Sequence, residues 1–134
     1  MNILDAIGNT SIVRLGKVVP PGCADILVRL EWEPHRQHEG GPAGAHRIEG
    51  IGIGRTPPLC DPTLVDGILP VHTDDAEDMA RRLAREEALF AGMSAGANVV
   101  AAIRVAQRLG PGAKVVILMV DSGLKYVSTD VYGS

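Results

Sequence analysis

The sequence predicts an α/β fold, a partial parallel sheet with flanking helices, on three observations. Apolar residues make up 46% of the chain but aromatics only 3%, so the core rests on Val, Ile, Leu and Ala, as in buried parallel strands. In the second half, short apolar runs alternate with amphipathic helical segments, an order that implies parallel strands joined by right-handed crossovers. The 134 residues leave room for one domain and no more.

Taken in order, Ile12 to Leu15 and Ile26 to Trp32 are rich in β-branched and apolar residues. The Pro20-Pro21-Gly22 between them is turn punctuation, which predicts two paired strands. From Glu33 to Gly44 the pattern stops in a stretch crowded with Gly, Pro and His, which reads as a loop or a seam. A second Gly- and Pro-rich stretch runs to Pro62, after which Ile68 to Val71 forms a short strand. Thr73 or Asp74 then caps a helix. Ala76, Met79, Ala80, Leu83 and Ala84 share its apolar face, while Glu77 with Arg81 and Asp78 with Arg82 form i,i+4 pairs on the polar face. The short apolar piece Leu89-Phe90-Ala91 leads through Gly92-Met93-Ser94-Ala95-Gly96 into a helix of about fourteen residues that Gly110-Pro111-Gly112 stops. Val115 to Val120 is a buried strand. In such a sheet any ligand site lies beyond the carboxyl ends of the strands, where Ser94 and Asp121 fall.

Composition excludes several classes of function. A net charge of −3 with no basic run and few aromatics offers nucleic acid no footing. Cys23 and Cys60 are the only cysteines, too few for a disulfide framework and not spaced as a redox or zinc pair. The longest apolar run is too short to span a bilayer, and Met1 to Asp5 does not open a secretory leader. The expectation is a soluble, cytoplasmic protein.

Several constellations invite chemistry. Gly92-x-Ser94-x-Gly96 matches the nucleophile elbow of α/β-hydrolases, but that fold places its histidine after the serine. Here His35, His38, His46 and His72 all precede Ser94, which argues against a hydrolase. A helix beginning at Ser94 presents free N–H groups and a hydroxyl to an anion or a heteroaromatic acceptor; an ordinary N-cap explains the same residue. Gly50-Ile51-Gly52-Ile53-Gly54 permits close approach to a flat ligand but lacks dinucleotide spacing. His35 and His38, with His46 and Cys60, have no second matching pair, so no metal site is expected.

Ile3-Leu4-Asp5-Ala6-Ile7-Gly8-Asn9-Thr10, followed by Ile12-Val13-Arg14-Leu15, resembles the opening of cysteine synthases and cystathionine β-synthases, with Ser11 where that family has proline. The resemblance resumes at Gly40 to Gly52, similar to the family's H-[KR]-I-x-G-I-G loop beside the cofactor. It continues through Gly92-Met93-Ser94-Ala95-Gly96-Ala97 and the closing Asp121-Ser122-Gly123-Leu124-Lys125-Tyr126-Val127-Ser128-Thr129-Asp130. These stretches identify the chain as a member of the pyridoxal phosphate (PLP) dependent family of fold type II. The implied fold is the larger domain of those enzymes with the smaller domain missing. Residues 1–33 would form its N-terminal strand pair, 34–45 a junction replacing a deleted middle, and 46–134 its C-terminal α/β part.

The resemblance implies PLP as cofactor, with Ser94 at the pyridine nitrogen and Gly52 and Asp121 beside it, and β-replacement on O-acetylserine giving cysteine as the family activity. The segment that carries the Schiff-base lysine and the Gly-rich phosphate loop has no counterpart, and Lys17, Lys114 and Lys125 are the only lysines. In that chemistry the lysine supplies the imine and the base for the substrate Cα proton. No catalytic residue is therefore assigned, and the chain alone is expected to be inactive. Alternatives are a non-catalytic binding or oligomerisation module, pairing as a homo-oligomer or with a full-length family member, or a deletion remnant. Loss of sheet neighbours is expected to leave apolar surface open, with weak stability or dependence on a partner.

Overall fold

The structure, a computed structural model, describes residues 10–30 and 61–133. The predicted seam, Gly50 to Gly54, Gly52, His35, His38, His46 and Cys60 lie outside those residues. Strand β1 (Ile12–Arg14) and strand β2 (Asp25–Leu30) pair antiparallel, with Val13 opposite Val28. The turn between them carries Gly22 at φ 79°, a left-handed conformation that glycine adopts without steric cost. This is the strand pair expected from the Pro-Pro-Gly punctuation.

Helix α1 (Thr73–Glu87), helix α2 (Met93–Leu109) and strand β3 (Lys114–Met119) follow. β3 lies parallel to β2, from Asp25 opposite Lys114 to Leu30 opposite Met119, so the three-stranded sheet has the order β1-β2-β3. It is mixed, parallel in one pairing and antiparallel in the other. Ile26 and Val28 of β2 are wholly buried and form one core with Met79 and Leu83 of α1, Ala95, Val99, Ala102 and Ala106 of α2, and Met119 of β3. α2 thus covers one sheet face, and α1 packs on α2.

A glycine of α2 lies directly against the backbone of α1. A Cβ on Gly96 would stand 2.1 Å from the Ala76 carbonyl oxygen and 3.0 Å from the Ala80 nitrogen, so the backbones meet where side chains are smallest. Ala76 and Ala80 are fully buried there.

Several sequence expectations are corrected. Ile68 to Val71 forms no strand: Pro70 has no N–H to give a ladder, its carbonyl accepts from Arg104 at 2.6 Å, and Ile68 is 61% exposed. Leu89 to Ala91 contributes one isolated bridge, Ala91 with Ser122, because the chain has just turned through Ala88 at φ 57°. α1 is preceded by His72, with no side-chain cap; Thr73 is already helical. Of the predicted pairs, Glu77 and Arg81 stand 3.8 Å apart, but Glu77 is buried, and Asp78 and Arg82 take other partners: Asp78 pairs with Arg81 and Arg82 with Glu86. β3 is not buried on both faces. Val116 is 62% and Leu118 45% exposed, since α2 covers only the face of Val115, Ile117 and Met119.

Glu87, at the end of α1, makes a tie that no sequence pattern announced. Its Oε1 accepts N–H groups from Gly16, Lys17 and Val18 at 2.9, 2.5 and 3.0 Å. Burial pushes its pKa up, but the backbone donors and nearby Lys17 outweigh that and hold it below the usual carboxylate value. The loop after β1 is thereby anchored to the helix layer.

Candidate functional site

Beyond the carboxyl end of β3 the chain enters Asp121, and the bridge at Ala91 brings the start of α2 against it. Gly123 donates its N–H to the Phe90 carbonyl at 3.0 Å and Gly92 to the Asp121 carbonyl at 3.4 Å. The result is a buried polar cluster. Ser94 donates its hydroxyl to Asp121 Oδ1 at 3.1 Å, and Tyr126 donates to Oδ2 at 2.8 Å. Ser94 is 7%, Asp121 8% and Tyr126 6% exposed. A buried carboxylate needs such donors, because burial without them costs several kcal/mol.

Ser94 is therefore the second residue of α2 and not its cap: Gly92 holds the N-cap position and offers no side chain. Both glycines of the Gly92-x-Ser94-x-Gly96 pattern have steric reasons. A Cβ on Gly92 would lie 2.4 Å from both Asp121 carboxylate oxygens, and one on Gly96 would strike α1. In the closing stretch, Gly123 likewise makes room for the Phe90 ring, 2.9 Å from where its Cβ would stand.

Tyr132, from the end of the chain, closes the cluster from the side. Its hydroxyl donates toward the Ala91 carbonyl at 2.5 Å and the Ala80 carbonyl at 3.2 Å, and its ring packs on Phe90 with centroids 4.6 Å apart. Burial, with the Asp121 charge next in weight, pushes the Tyr132 phenol above its usual pKa. Sequence reasoning placed Ser94 and Asp121 at this end of the sheet but missed Tyr126 and Tyr132 as members. Their only signal was being the two tyrosines of a chain poor in aromatics.

The arrangement does not activate Ser94 as a nucleophile. Its hydroxyl goes directly to a carboxylate with no imidazole between them, and His72, the histidine among the described residues, is exposed at the start of α1. Among the described residues no group of three or more His, Cys, Asp or Glu is placed to hold a metal ion. No helix among them is long and apolar enough to cross a membrane. An open groove of about 370 Å³ lined by Arg14, Pro20, Pro21, Cys23 and Asp25 among others lies along the turn between β1 and β2, away from the cluster.

The cluster lies beyond the carboxyl end of β3, with Ser94 in the first turn of α2. The family model for pyridoxal-phosphate dependent enzymes matches residues 33–121, and the chain belongs to that family. Its curated relatives include a cysteine synthase of Staphylococcus aureus, 38% identical over 119 residues, which cover 88% of this chain and 38% of the relative. Another is cysteine synthase 3 of Caenorhabditis elegans, 46% identical over 94 residues, or 69% of this chain and 28% of the relative. Among solved structures, cysteine synthase from Entamoeba histolytica superposes with a TM-score of 0.65 at 35% identity, covering 78% of this chain and 32% of that one. The O-acetylserine dependent cystathionine β-synthase from Helicobacter pylori gives 0.63 at 34% identity, covering 79% and 34%. The chain thus spans between 28% and 38% of the length of these relatives, which fits loss of an internal stretch of the family sequence.

Proposed function

We propose that this chain is a cysteine synthase relative that does not carry out β-replacement by itself and acts instead by association, with its own kind or with a full-length relative, in the cytoplasm. One observation carries the reading: all three lysines, Lys17, Lys114 and Lys125, are exposed, and the buried cluster around Ser94 contains hydroxyls and a carboxylate but no amine. These residues do not fit a covalently held PLP. Ser94, Asp121 and Gly52 remain the positions that would face its ring. However, the Ser94 hydroxyl is already given to Asp121, so what survives of the cofactor end is an internal structural network.

Loss of the imine-forming lysine removes both a nucleophile and a general base, the latter alone worth roughly 100- to 10,000-fold in rate. Two measurements test the reading. The purified chain is mixed with PLP, reduced with borohydride and mapped by mass spectrometry, and it is assayed for cysteine from O-acetylserine and sulfide. We expect no site-specific reduced adduct and no turnover. An adduct on one unique lysine, or turnover above the uncatalysed rate, refutes it.

The association half of the reading is supported by the exposed apolar residues of β3 and by Ile12, 57% exposed on the same sheet face. Soluble chains seldom leave such a surface open unless something covers it.

A further inference from the structure

An aspartate can cyclise onto its own backbone when its carboxyl is free, when no acceptor holds the next N–H, and when that nitrogen has room to reach the carboxyl carbon. Folding withholds at least one of these from nearly every described aspartate. Asp25 lies in β2 and is salt-bridged to Arg14 at 2.7 Å. Asp61 precedes Pro62, which has no N–H, and its carboxylate accepts from Thr63. Asp74, Asp75 and Asp78 are fixed in the helical backbone of α1. Asp121 is buried, with its two oxygens taken by Ser94 and Tyr126. Asp130 precedes Val131, which is β-branched and buried. Asn98, which could follow the same route with loss of ammonia, is held in α2 and gives its amide to the Leu118 carbonyl at 3.0 Å.

Asp66 differs from all of these. Asp66 and Gly67 are both exposed and belong to neither helix nor strand. Among the described residues the Asp66 carboxyl has no ion-pair or hydrogen-bond partner, and the Gly67 N–H has no backbone acceptor. A Cβ built on Gly67 would meet nothing within 4 Å, so space around the nitrogen is open, and glycine itself adds no side chain and the widest backbone freedom. The flanking Leu64, Val65 and Ile68 are 80%, 45% and 61% exposed, so no packed side chain pins the segment on either side. Its first fixed point toward α1 is Pro70, whose carbonyl accepts from Arg104 at 2.6 Å.

We infer that Asp66–Gly67 is a self-modification site, at which the folded chain converts with age to an isoaspartyl form and so becomes an acceptor for enzymes that methylate isoaspartyl carboxylates. In the first step the Gly67 backbone nitrogen bonds to Asp66 Cγ. The amide proton and a protonated carboxyl oxygen leave as water, which closes a succinimide. One water then opens the ring. Breaking the bond from nitrogen to Cγ restores aspartate, whereas breaking the bond from nitrogen to the main-chain carbonyl carbon leaves the peptide running through Cβ and Cγ, with a free carboxylate on Cα. Water lost equals water gained, no oxidant is involved, and mass and charge are unchanged. The product lengthens the backbone by one carbon in a segment that no ladder, helix or packed side chain constrains, so α1, α2 and the sheet are kept. Neither the missing lysine nor association enters this chemistry.

The test is to age the purified full chain in warm neutral buffer, folded and in parallel unfolded in urea, with circular dichroism confirming the fold. Isoaspartate is counted by methyl transfer from radiolabelled S-adenosylmethionine with an L-isoaspartyl methyltransferase, and located by peptide mapping as a new peak of unchanged mass. We expect residue 66 to dominate, at a rate in the folded chain within about two-fold of that in urea, because an unprotected segment reacts as if unfolded. The circular dichroism spectrum of the aged chain should be that of the fresh one. Gly67→Ala, free of clash and of left-handed strain, should slow the reaction about five-fold or more by stiffening the backbone and crowding the nitrogen. Asp66→Glu, which would have to close a larger ring, should remove the signal at this site. Isoaspartate that forms only in urea overturns the inference, as does a dominant site elsewhere in the folded chain or an unchanged rate in Gly67→Ala.

Discussion

Replacing Gly96 by alanine sets two physical effects against each other, and the structure decides their sign. Helix propensity favours alanine over glycine by about 1 kcal/mol in a helix interior, so on sequence alone Gly96→Ala in α2 should stabilise the chain. The new Cβ, however, would stand 2.1 Å from the Ala76 carbonyl oxygen and 3.1 Å from its carbon. The obstacle is backbone and cannot swing aside as a flexible side chain would, so α1 and α2 must separate by about 1 Å or more to restore van der Waals distance. Overpacking of this kind costs typically 1–3 kcal/mol and sometimes more. The same separation loosens Ala76, Ala80 and Val99, all fully buried. Setting about 3 kcal/mol of strain and lost packing against 1 kcal/mol of propensity leaves a net destabilisation of about 2 kcal/mol. For a chain of this size that lowers Tm by roughly 6–12 °C. Urea titration followed by far-ultraviolet circular dichroism measures it, as a lower midpoint at unchanged slope. A midpoint that rises, as propensity alone demands, would refute the close helix contact on which the layer arrangement depends.

Further outcomes follow from the two carboxylates. Ser94→Ala and Tyr126→Phe should each cost about 1.5–3 kcal/mol, the range for a hydrogen bond to a charged group. The double variant should cost more than the sum, because only then does buried Asp121 lose both side-chain donors; additivity within about 0.3 kcal/mol would mean that the two hydroxyls do not share it. Glu87→Gln should cost about 1 kcal/mol, a figure held down by solvent at a partly exposed site. Because the folded pKa of Glu87 is lowered, its contribution is fully present above the unfolded value of about 4.3 and is lost as pH falls through the lower folded value. The stability gap between wild type and Glu87→Gln should therefore shrink on acidification, and a gap that is the same at pH 7 as well below that window would contradict the three-donor tie.

The local elements were legible because each had its own signal. Pro20-Pro21-Gly22 between two β-branched runs predicted the hairpin-like pair, and the spacing of Ala76, Met79, Ala80 and Leu83 predicted the buried face of α1. What failed was pairing. Ile68 to Val71 and Leu89 to Ala91 look like strands by composition, but a strand exists only where a ladder accepts it, and β3 found its partner in β2, more than eighty residues earlier. Periodicity carries no information about which distant segment supplies the other half of a hydrogen bond. Glu87 illustrates the same limit. Its three donors lie 69 to 71 residues away, and nothing about a glutamate at a helix end points to them.

The site was legible in a different way, through residues whose pattern also has a packing role. Gly92-x-Ser94-x-Gly96 and Asp121-Ser122-Gly123 carry the family resemblance, and in this structure each glycine answers to sterics: Gly92 to the Asp121 carboxylate, Gly96 to the Ala76 carbonyl and Gly123 to the Phe90 ring. Ser94 and Tyr126 satisfy the carboxylate that those glycines admit. Such a cluster holds the start of α2 against the end of β3 whether or not a ligand is present, so its retention in a chain without a buried lysine requires no catalytic explanation. A motif of this kind reports on packing first. It would report on catalysis only together with a buried amine, which would have to face the same strand ends as Ser94 and Asp121 to matter.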